Sequence, residues 1–179
     1  MESSATNARS VPRKRRPLPK ALQIAIFRRD KWLCYWCRRP VIFSPAFKLL
    51  QVDLTASGFP DVAYYHPHGT RRDAPLLDEL GAAIDHLRAF STGGACSEEN
   101  FRTACWKCNT RKGDAPLEAW EQREKRSPVK GKYGEPETWD GLTTLFIALA
   151  ERNPGLLTTT ERDWLRALRA PHSQLRDIA

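Results

Sequence analysis

Apolar residues at helical spacing mark helices at both ends of the chain. In the segment 20–30 they predict one packed helix. The segment 142–149 repeats the same spacing, and Asn-Pro-Gly at 153–155 predicts where that second helix ends. The spacing Thr158-x-x-Glu161 is a capping box and predicts the start of a last helix. The sequence therefore predicts helices on both sides of the middle part of the chain.

The middle of the chain carries shorter apolar runs, which are typical of strands. The runs at 82–90 and Phe101–Cys105 predict two strands joined by a turn-rich stretch, and a helix follows over 106–111. Two further runs, 40–43 and 51–54, also resemble short strands. The order strand, strand, helix, placed between helical ends, predicts an α+β fold.

Composition changes divide the 179 residues into one domain with appendages. Residues 1–18 are polar and basic and predict a disordered tail, and residues 19–120 form the main domain. Within that domain the least regular part, 44–80, is interpreted as an insertion. Residues 121–138 are polar and rich in Pro and Gly, which indicates a linker or surface arm, and 139–179 form a helical extension.

Net charge adds a candidate partner. The chain carries a formal charge of +8, of which +5 lies in the first 20 residues. The tail concentrates that charge in a cluster flanked by prolines, which should be extended and able to follow a polyanion: Arg13, Lys14, Arg15 and Arg16. Nucleic acid is the natural partner for such a cluster, and the alternative is a solvated tail that only aids solubility.

Other features exclude several classes of protein. No apolar run approaches the roughly 18–20 residues that span a bilayer, and the first ten residues are polar. We therefore expect a soluble, cytoplasmic protein with no membrane partner. In that reducing compartment, cysteines with C-x-x-C spacing are metal ligands more often than disulfides.

Four cysteines predict a structural zinc site. Cys34 and Cys37 form one C-x-x-C pair and Cys105 and Cys108 form another, with 67 residues between the pairs. This spacing lets both sulfurs of a pair reach one tetrahedral Zn²⁺, and four protein ligands leave no open position for chemistry. The metal would thus join distant parts of the chain, whereas the fifth cysteine, Cys96, has no partner in the pattern.

Three other residues near the second cysteine pair suggest hydrolysis. A histidine such as His86 can take a proton from water near neutral pH. Asp85 and Asn109 offer hard oxygen atoms of the kind that Mg²⁺ prefers. Adjacent residues of a strand point to opposite faces, so Asp85 and His86 can serve one site only if the strand is bulged or ends there.

The combined pattern resembles the HNH endonuclease family, in its zinc-stabilised form. The resemblance covers residues 20–114 with the segment 44–80 set aside. The motifs that carry it are Cys34-x-x-Cys37, Asp85-His86, Gly93-Gly94, Glu99-Asn100, Cys105-x-x-Cys108-Asn109 and Lys112-Gly113. It implies a ββα-metal core held by a four-cysteine zinc site, and DNA cleavage that leaves 5′-phosphate and 3′-hydroxyl ends.

The resemblance also implies a role for each matching residue. His86 would be the general base, and Asp85 and Asn109 would bind one divalent cation, Mg²⁺ or another. Asn100 would be structural and fix the loop that orients His86. This chain has Asn109 where the family name implies a histidine. A carboxamide oxygen still suits Mg²⁺, so the departure bears on the choice of metal more than on activity.

Two alternatives stay open beside an active nuclease. One is a catalytically inactive, zinc-stapled module that only binds nucleic acid, and the other is an accessory subunit whose C-terminal helices dock a protein partner. Whether the protein is a nuclease or a binding module, three basic residues of the helix after the second strand either contact phosphates or form a solvated face: Lys107, Arg111 and Lys112.

Overall fold

The computed structural model describes residues 17–59, 79–123 and 138–170. Within them the strands are β1 (Ala82–His86) and β2 (Phe101–Cys105), and the fold is α+β as predicted. The α-helices with assigned bounds are α1 (Lys20–Arg29), α2 (Pro45–Ala56), α3 (Trp106–Lys112), α4 (Leu117–Arg123), α5 (Thr143–Arg152) and α6 (Thr159–Arg169). The basic cluster of the tail lies outside the described residues.

The centre of the fold is a ββα unit. Strands β1 and β2 pair antiparallel, with Ala82 opposite Cys105 and His86 opposite Phe101. Helix α3 begins directly after β2, and Cys105 caps it by accepting a hydrogen bond from the Cys108 backbone N–H to its Sγ at 3.4 Å. The prediction for β2 is confirmed at both bounds, whereas β1 ends at His86 rather than continuing to position 90.

Helix α1 fixes the position of the hairpin through its C-terminal end. Asp30 Oδ2 accepts a hydrogen bond from the Thr103 backbone N–H at 2.7 Å, and Arg29 Nη2 donates to the Phe101 carbonyl at 2.6 Å. These contacts satisfy backbone groups of β2 that do not pair with β1. The hairpin is therefore tied to the helical part of the fold through β2.

The hydrophobic core lies between the ββα unit and the helices. Helix α1 packs against α6 and β2, and α2 packs against α5. Buried aromatic rings meet edge-on, with 5.1 Å between the centroids of Phe43 and Phe146. The buried cysteines of both pairs belong to the same cluster of core residues.

The prediction of a strand at 51–54 is wrong, because these residues lie inside α2. Pro45 occupies the first turn of this helix, where its missing N–H costs nothing, and Ala46, Leu49 and Asp53 are buried at helical spacing. Residues 40–43 also form no strand and make only isolated bridges, one of them between Ile42 and Gly81. The first part of the segment 44–80 is thus core structure, and its status as an insertion stays a prediction.

The C-terminal helices turn their apolar faces inward. Phe146 and Leu149 of α5 and Leu168 of α6 are buried. The predicted capping box is present, since the Thr158 side chain bonds Glu161 and the Glu161 carboxylate accepts the Thr158 backbone N–H at 3.0 Å. Binding of a protein partner through these helices stays a prediction. The apolar side chains named above do not support it, because they are buried in the core. No helix of the described residues is long and apolar enough to cross a membrane.

Candidate active site

The end of strand β1 places two of the predicted catalytic residues at one cavity. His86 is the last residue of β1 and Asp85 precedes it, and the backbone bends away at Leu87. Because the strand stops there, both residues line a cavity of about 310 Å³, where Asn109 of α3 joins them. At this strand end Asp85 and His86 share the lining of one cavity, and their action on one site stays a prediction. The three residues therefore border a common space, although Asp85 and His86 are each only 5% exposed.

The loop from β1 to β2 is held by Asn100. Its Nδ2 donates to the carbonyls of Arg88 at 3.0 Å and Ala95 at 2.8 Å, and its Oδ1 accepts the Arg88 backbone N–H at 2.9 Å. Gly94 completes the loop, because a Cβ there would lie 2.0 Å from the Arg88 carbonyl oxygen. These contacts support the structural role that the resemblance implies for Asn100.

Replacing Asn100 with aspartate is expected to loosen this loop. The variant keeps the acceptor for Arg88 but turns a carboxylate toward two carbonyl oxygens, so two hydrogen bonds are lost and a repulsion is created. Loss of about 1–3 kcal/mol of unfolding free energy should follow, measured by denaturant titration. Wild-type stability of Asn100→Asp would remove the structural role.

Aromatic and sulfur groups surround the His86 ring. The ring meets Phe101 edge-on at 4.8 Å between centroids, and Phe90 lies at 6.3 Å. His86 Nε2 lies 3.8 Å from Cys96 Sγ, so the cysteine without a partner in the sequence pattern contacts the predicted general base. Packing on two sides restricts the rotation of the imidazole, which is what a proton acceptor in a fixed place requires.

Two donors hold the Asp85 carboxylate. The indole Nε1 of Trp36 donates to Oδ2 at 2.7 Å, and Nζ of Lys112 donates to Oδ1 at 3.2 Å. Burial raises the pKa of Asp85, and Lys112 and Trp36 oppose that rise by stabilising the ionised form. The His86 backbone N–H also bonds this carboxylate, and because a carboxylate offers about four lone-pair sites, these donors leave room for a further ligand.

The four predicted zinc ligands converge on one point. The sulfurs of Cys34, Cys37, Cys105 and Cys108 all lie within 4.8 Å of one another, and all four residues are buried. Four soft thiol donors at this separation fit Zn²⁺, which takes such ligands in tetrahedral structural sites. Hydrogen bonds among the thiols, that between Cys37 and Cys105 first, lower the pKa of Cys37, and the bond with Cys105 raises the pKa of Cys108.

The cavity, the hairpin and the second cysteine pair all lie in one segment of the chain. Residues 75–115 match the family model of the HNH endonucleases. This segment therefore resembles an HNH domain. The match confirms the resemblance that the motifs indicated. No curated protein and no solved structure gives a significant match to the chain.

The HNH segment accounts for only part of the site. It contains Asp85, His86, Asn100 and Asn109, but the first cysteine pair and Trp36 come from outside it. Its backbone is joined to that pair by a hydrogen bond from the Tyr35 N–H to the Thr103 carbonyl at 2.8 Å. The site is therefore assembled from the HNH segment and a cysteine knuckle, residues 34–37, that lies well before it in the sequence.

The position of Lys112 differs from the sequence prediction. It was expected to contact phosphate, yet it is 2% exposed, and its Nζ donates to the His86 carbonyl at 2.6 Å as well as to Asp85. A buried ammonium needs such partners because desolvation is costly. Lys112 therefore ties α3 to the end of β1 and has no exposed ammonium to offer to a phosphate.

The other two basic residues of this helix that were predicted to contact nucleic acid are Lys107 and Arg111. Lys107 makes an ion pair with Glu79 at 2.7 Å, and Arg111 lies over the ring of Trp120 with its guanidinium 5.9 Å from the centroid. Their contacts with phosphate stay predictions, as do those of the basic tail, which lies outside the described residues.

Sequence reasoning missed two residues of the site. Asp114 lines the cavity beside Asn109, brought there by the turn at Gly113, whose φ is +51°. Trp36 contacts Asp85 across 49 positions of sequence. A carboxylate directly after Lys112-Gly113 was a local signal for Asp114, whereas no local pattern links Trp36 to Asp85.

Proposed function

We propose that the chain is a metal-dependent endonuclease that hydrolyses phosphodiester bonds of DNA. The observation that carries the proposal is the meeting of His86, Asp85 and Asn109 at one cavity within the HNH segment. A histidine beside two oxygen donors supplies the two things that phosphodiester hydrolysis needs first, a proton acceptor for water and a seat for a cation.

His86 acts as the general base in this proposal. Its ring is fixed by Phe101 and Phe90, and it borders the cavity in which an attacking water and the phosphate would meet. A neutral imidazole can accept the water proton near physiological pH. The loop fastened by Asn100 keeps Phe90 and the backbone after His86 in place.

Asp85 and Asn109 hold the divalent cation in this proposal. One carboxylate oxygen and one carboxamide oxygen are hard donors, and such a partial set suits Mg²⁺, which fills its other positions with water and phosphate oxygens. When bound, the cation would neutralise charge on the phosphate and on the departing 3′ oxygen. Asp114 adds a second carboxylate to the lining of the same cavity.

Removing either oxygen donor is expected to raise the Mg²⁺ requirement of cleavage. Asp85→Ala and Asn109→Ala should each increase the half-saturating Mg²⁺ concentration by at least the roughly 10–100-fold that loss of a supporting partner costs. The measurement is the initial rate of plasmid cleavage across a Mg²⁺ series. Asn153→Ala is the matched control, because Asn153 bonds Asp53 and Leu149 away from the cavity. Unchanged Mg²⁺ dependence in both variants would contradict the assigned ligands.

A zinc-stapled module that binds DNA without cutting it is the second candidate function. In this second function the protein keeps the basic tail and the cysteine framework, but the cavity does not catalyse DNA cleavage. The two candidates separate in one experiment, because a binding module shifts DNA mobility in a gel and leaves the plasmid intact with Mg²⁺ present.

A further inference from the structure

The first cysteine pair reaches the catalytic cavity through its own turn. Trp36 lies between Cys34 and Cys37, and it is 6% exposed. From this knuckle its Nε1 donates the 2.7 Å hydrogen bond to Oδ2 of Asp85. Trp36, which lies in the turn between two proposed zinc ligands, thus contacts Asp85, which we propose as a ligand of the catalytic cation.

The second cysteine pair reaches the same cavity along α3. Asn109 follows Cys108 directly on this helix, and Lys112 of the same helix holds Oδ1 of Asp85. Each cysteine pair therefore fixes one of the two proposed oxygen donors, the first through Trp36 and the second through the start of α3.

Asp85 needs such fixing because a carboxylate rotates readily. The torsion of a carboxylate about its last bond is broad, so a side chain at a strand end samples many orientations unless hydrogen bonds restrain it. Donors on both oxygens, Trp36 on one and Lys112 on the other, fix the plane of the group. The two donors differ, since Lys112 carries a charge that repels a cation whereas the indole N–H is neutral.

We infer that Trp36 is a positioning residue that orients Asp85 for cation binding, and that it couples the order of the four-cysteine cluster to the affinity of the catalytic cation site. The inference rests on the proposed function for the role of Asp85 as a ligand. It assigns to the knuckle a task beyond holding the fold together. Outer partners of metal ligands typically contribute about 10–100-fold in metal affinity.

The variant Trp36→Phe isolates the hydrogen bond, because phenylalanine keeps an aromatic ring in the core and removes the donor. In the zinc-loaded full chain we expect the Mg²⁺ affinity to fall by about 10-fold or more, measured by titration followed through backbone amide NMR signals of residues 85 to 109. Zinc content should stay at the wild-type level. Wild-type Mg²⁺ affinity in folded Trp36→Phe would overturn the inference.

Trp139→Phe is the matched control. Trp139 also donates its indole N–H, but to the Val41 carbonyl at 2.8 Å rather than to Asp85. A merely structural role for Trp36 predicts equal effects of the two variants on Mg²⁺ affinity, and that equality would also overturn the inference. A cycle with Asp85→Asn adds a second criterion: Trp36→Phe should change Mg²⁺ affinity much less in that background.

The wild-type protein gives a test that does not depend on folding of a variant. The indole N–H signal of Trp36 should shift during Mg²⁺ titration with the same midpoint as the amides of the cavity, while that of Trp139 should not. A Trp36 signal that stays in place would overturn the inference. A wild type that binds Mg²⁺ but leaves DNA intact would instead count against the proposed function alone.

Discussion

His86→Ala is expected to lower the rate of DNA cleavage by about 10²–10⁴-fold, the usual contribution of a general base. The ring lies at the cavity with Asp85 and Asn109, and no other histidine of the described residues lies there. Cleavage is measured as the initial rate on supercoiled plasmid at saturating Mg²⁺. Affinity for DNA should be unchanged, because the substitution removes neither a phosphate contact nor a proposed cation ligand.

Folding must be separated from chemistry in this variant, since the His86 ring packs against Phe101. Circular dichroism and thermal unfolding show whether the hairpin survives the loss of that contact. Added imidazole provides the chemical control, because a small base that enters the vacated space should restore part of the rate. Cleavage by His86→Ala at the wild-type rate would place the base elsewhere.

Loss of zinc from the four-cysteine cluster is expected to unfold the chain. The cluster joins the knuckle after α1 to the end of β2 and the start of α3, so its metal holds together cysteine pairs that are separated by 67 residues of sequence. Structural zinc sites contribute on the order of 10 kcal/mol, which exceeds the net stability of many small domains. Cys105→Ala should therefore lose zinc and cooperative unfolding together, measured by metal analysis and thermal scans.

Cys96→Ala is the matched control for the cysteine variants. Cys96 is exposed and lies outside the cluster, so its replacement should leave the zinc content and the unfolding temperature at wild-type values. Folded wild-type protein that contains no zinc would contradict the assignment of the cluster as a structural metal site.

Local patterns were enough to predict much of the fold and the clustering of the four cysteines. Residues of β2 and the capping box at Thr158 are determined by nearby sequence, and the structure has both where the sequence indicated. The four cysteines were predicted to cluster because C-x-x-C spacing lets both sulfurs of each pair bind the same metal ion, and their sulfurs do lie together. Asp85, His86 and Asn109 line one cavity beside the end of β1, and their joint action there stays a prediction.

The errors came from contacts that only the tertiary structure creates. The four residues 51–54 are too few to distinguish a strand from part of a helix, and α2, which packs against α5, contains them. Lys112 was predicted to contact phosphate as a basic residue of the helix after β2, yet Asp85 and the His86 carbonyl give its ammonium buried partners. The hydrogen bond from Trp36 to Asp85 joins residues 49 positions apart, and the spacing of residues along the sequence cannot predict such a contact.

The central claim is that the cavity of His86, Asp85 and Asn109 cuts DNA with a divalent cation. The zinc-loaded chain is incubated with supercoiled plasmid and Mg²⁺, with one arm containing EDTA in excess of the Mg²⁺. We expect nicked or linear products in the Mg²⁺ arm alone, with 3′-hydroxyl and 5′-phosphate ends that DNA ligase can rejoin. Plasmid that stays supercoiled across the Mg²⁺ series, with folded protein bound to it, would contradict the account and favour the binding module.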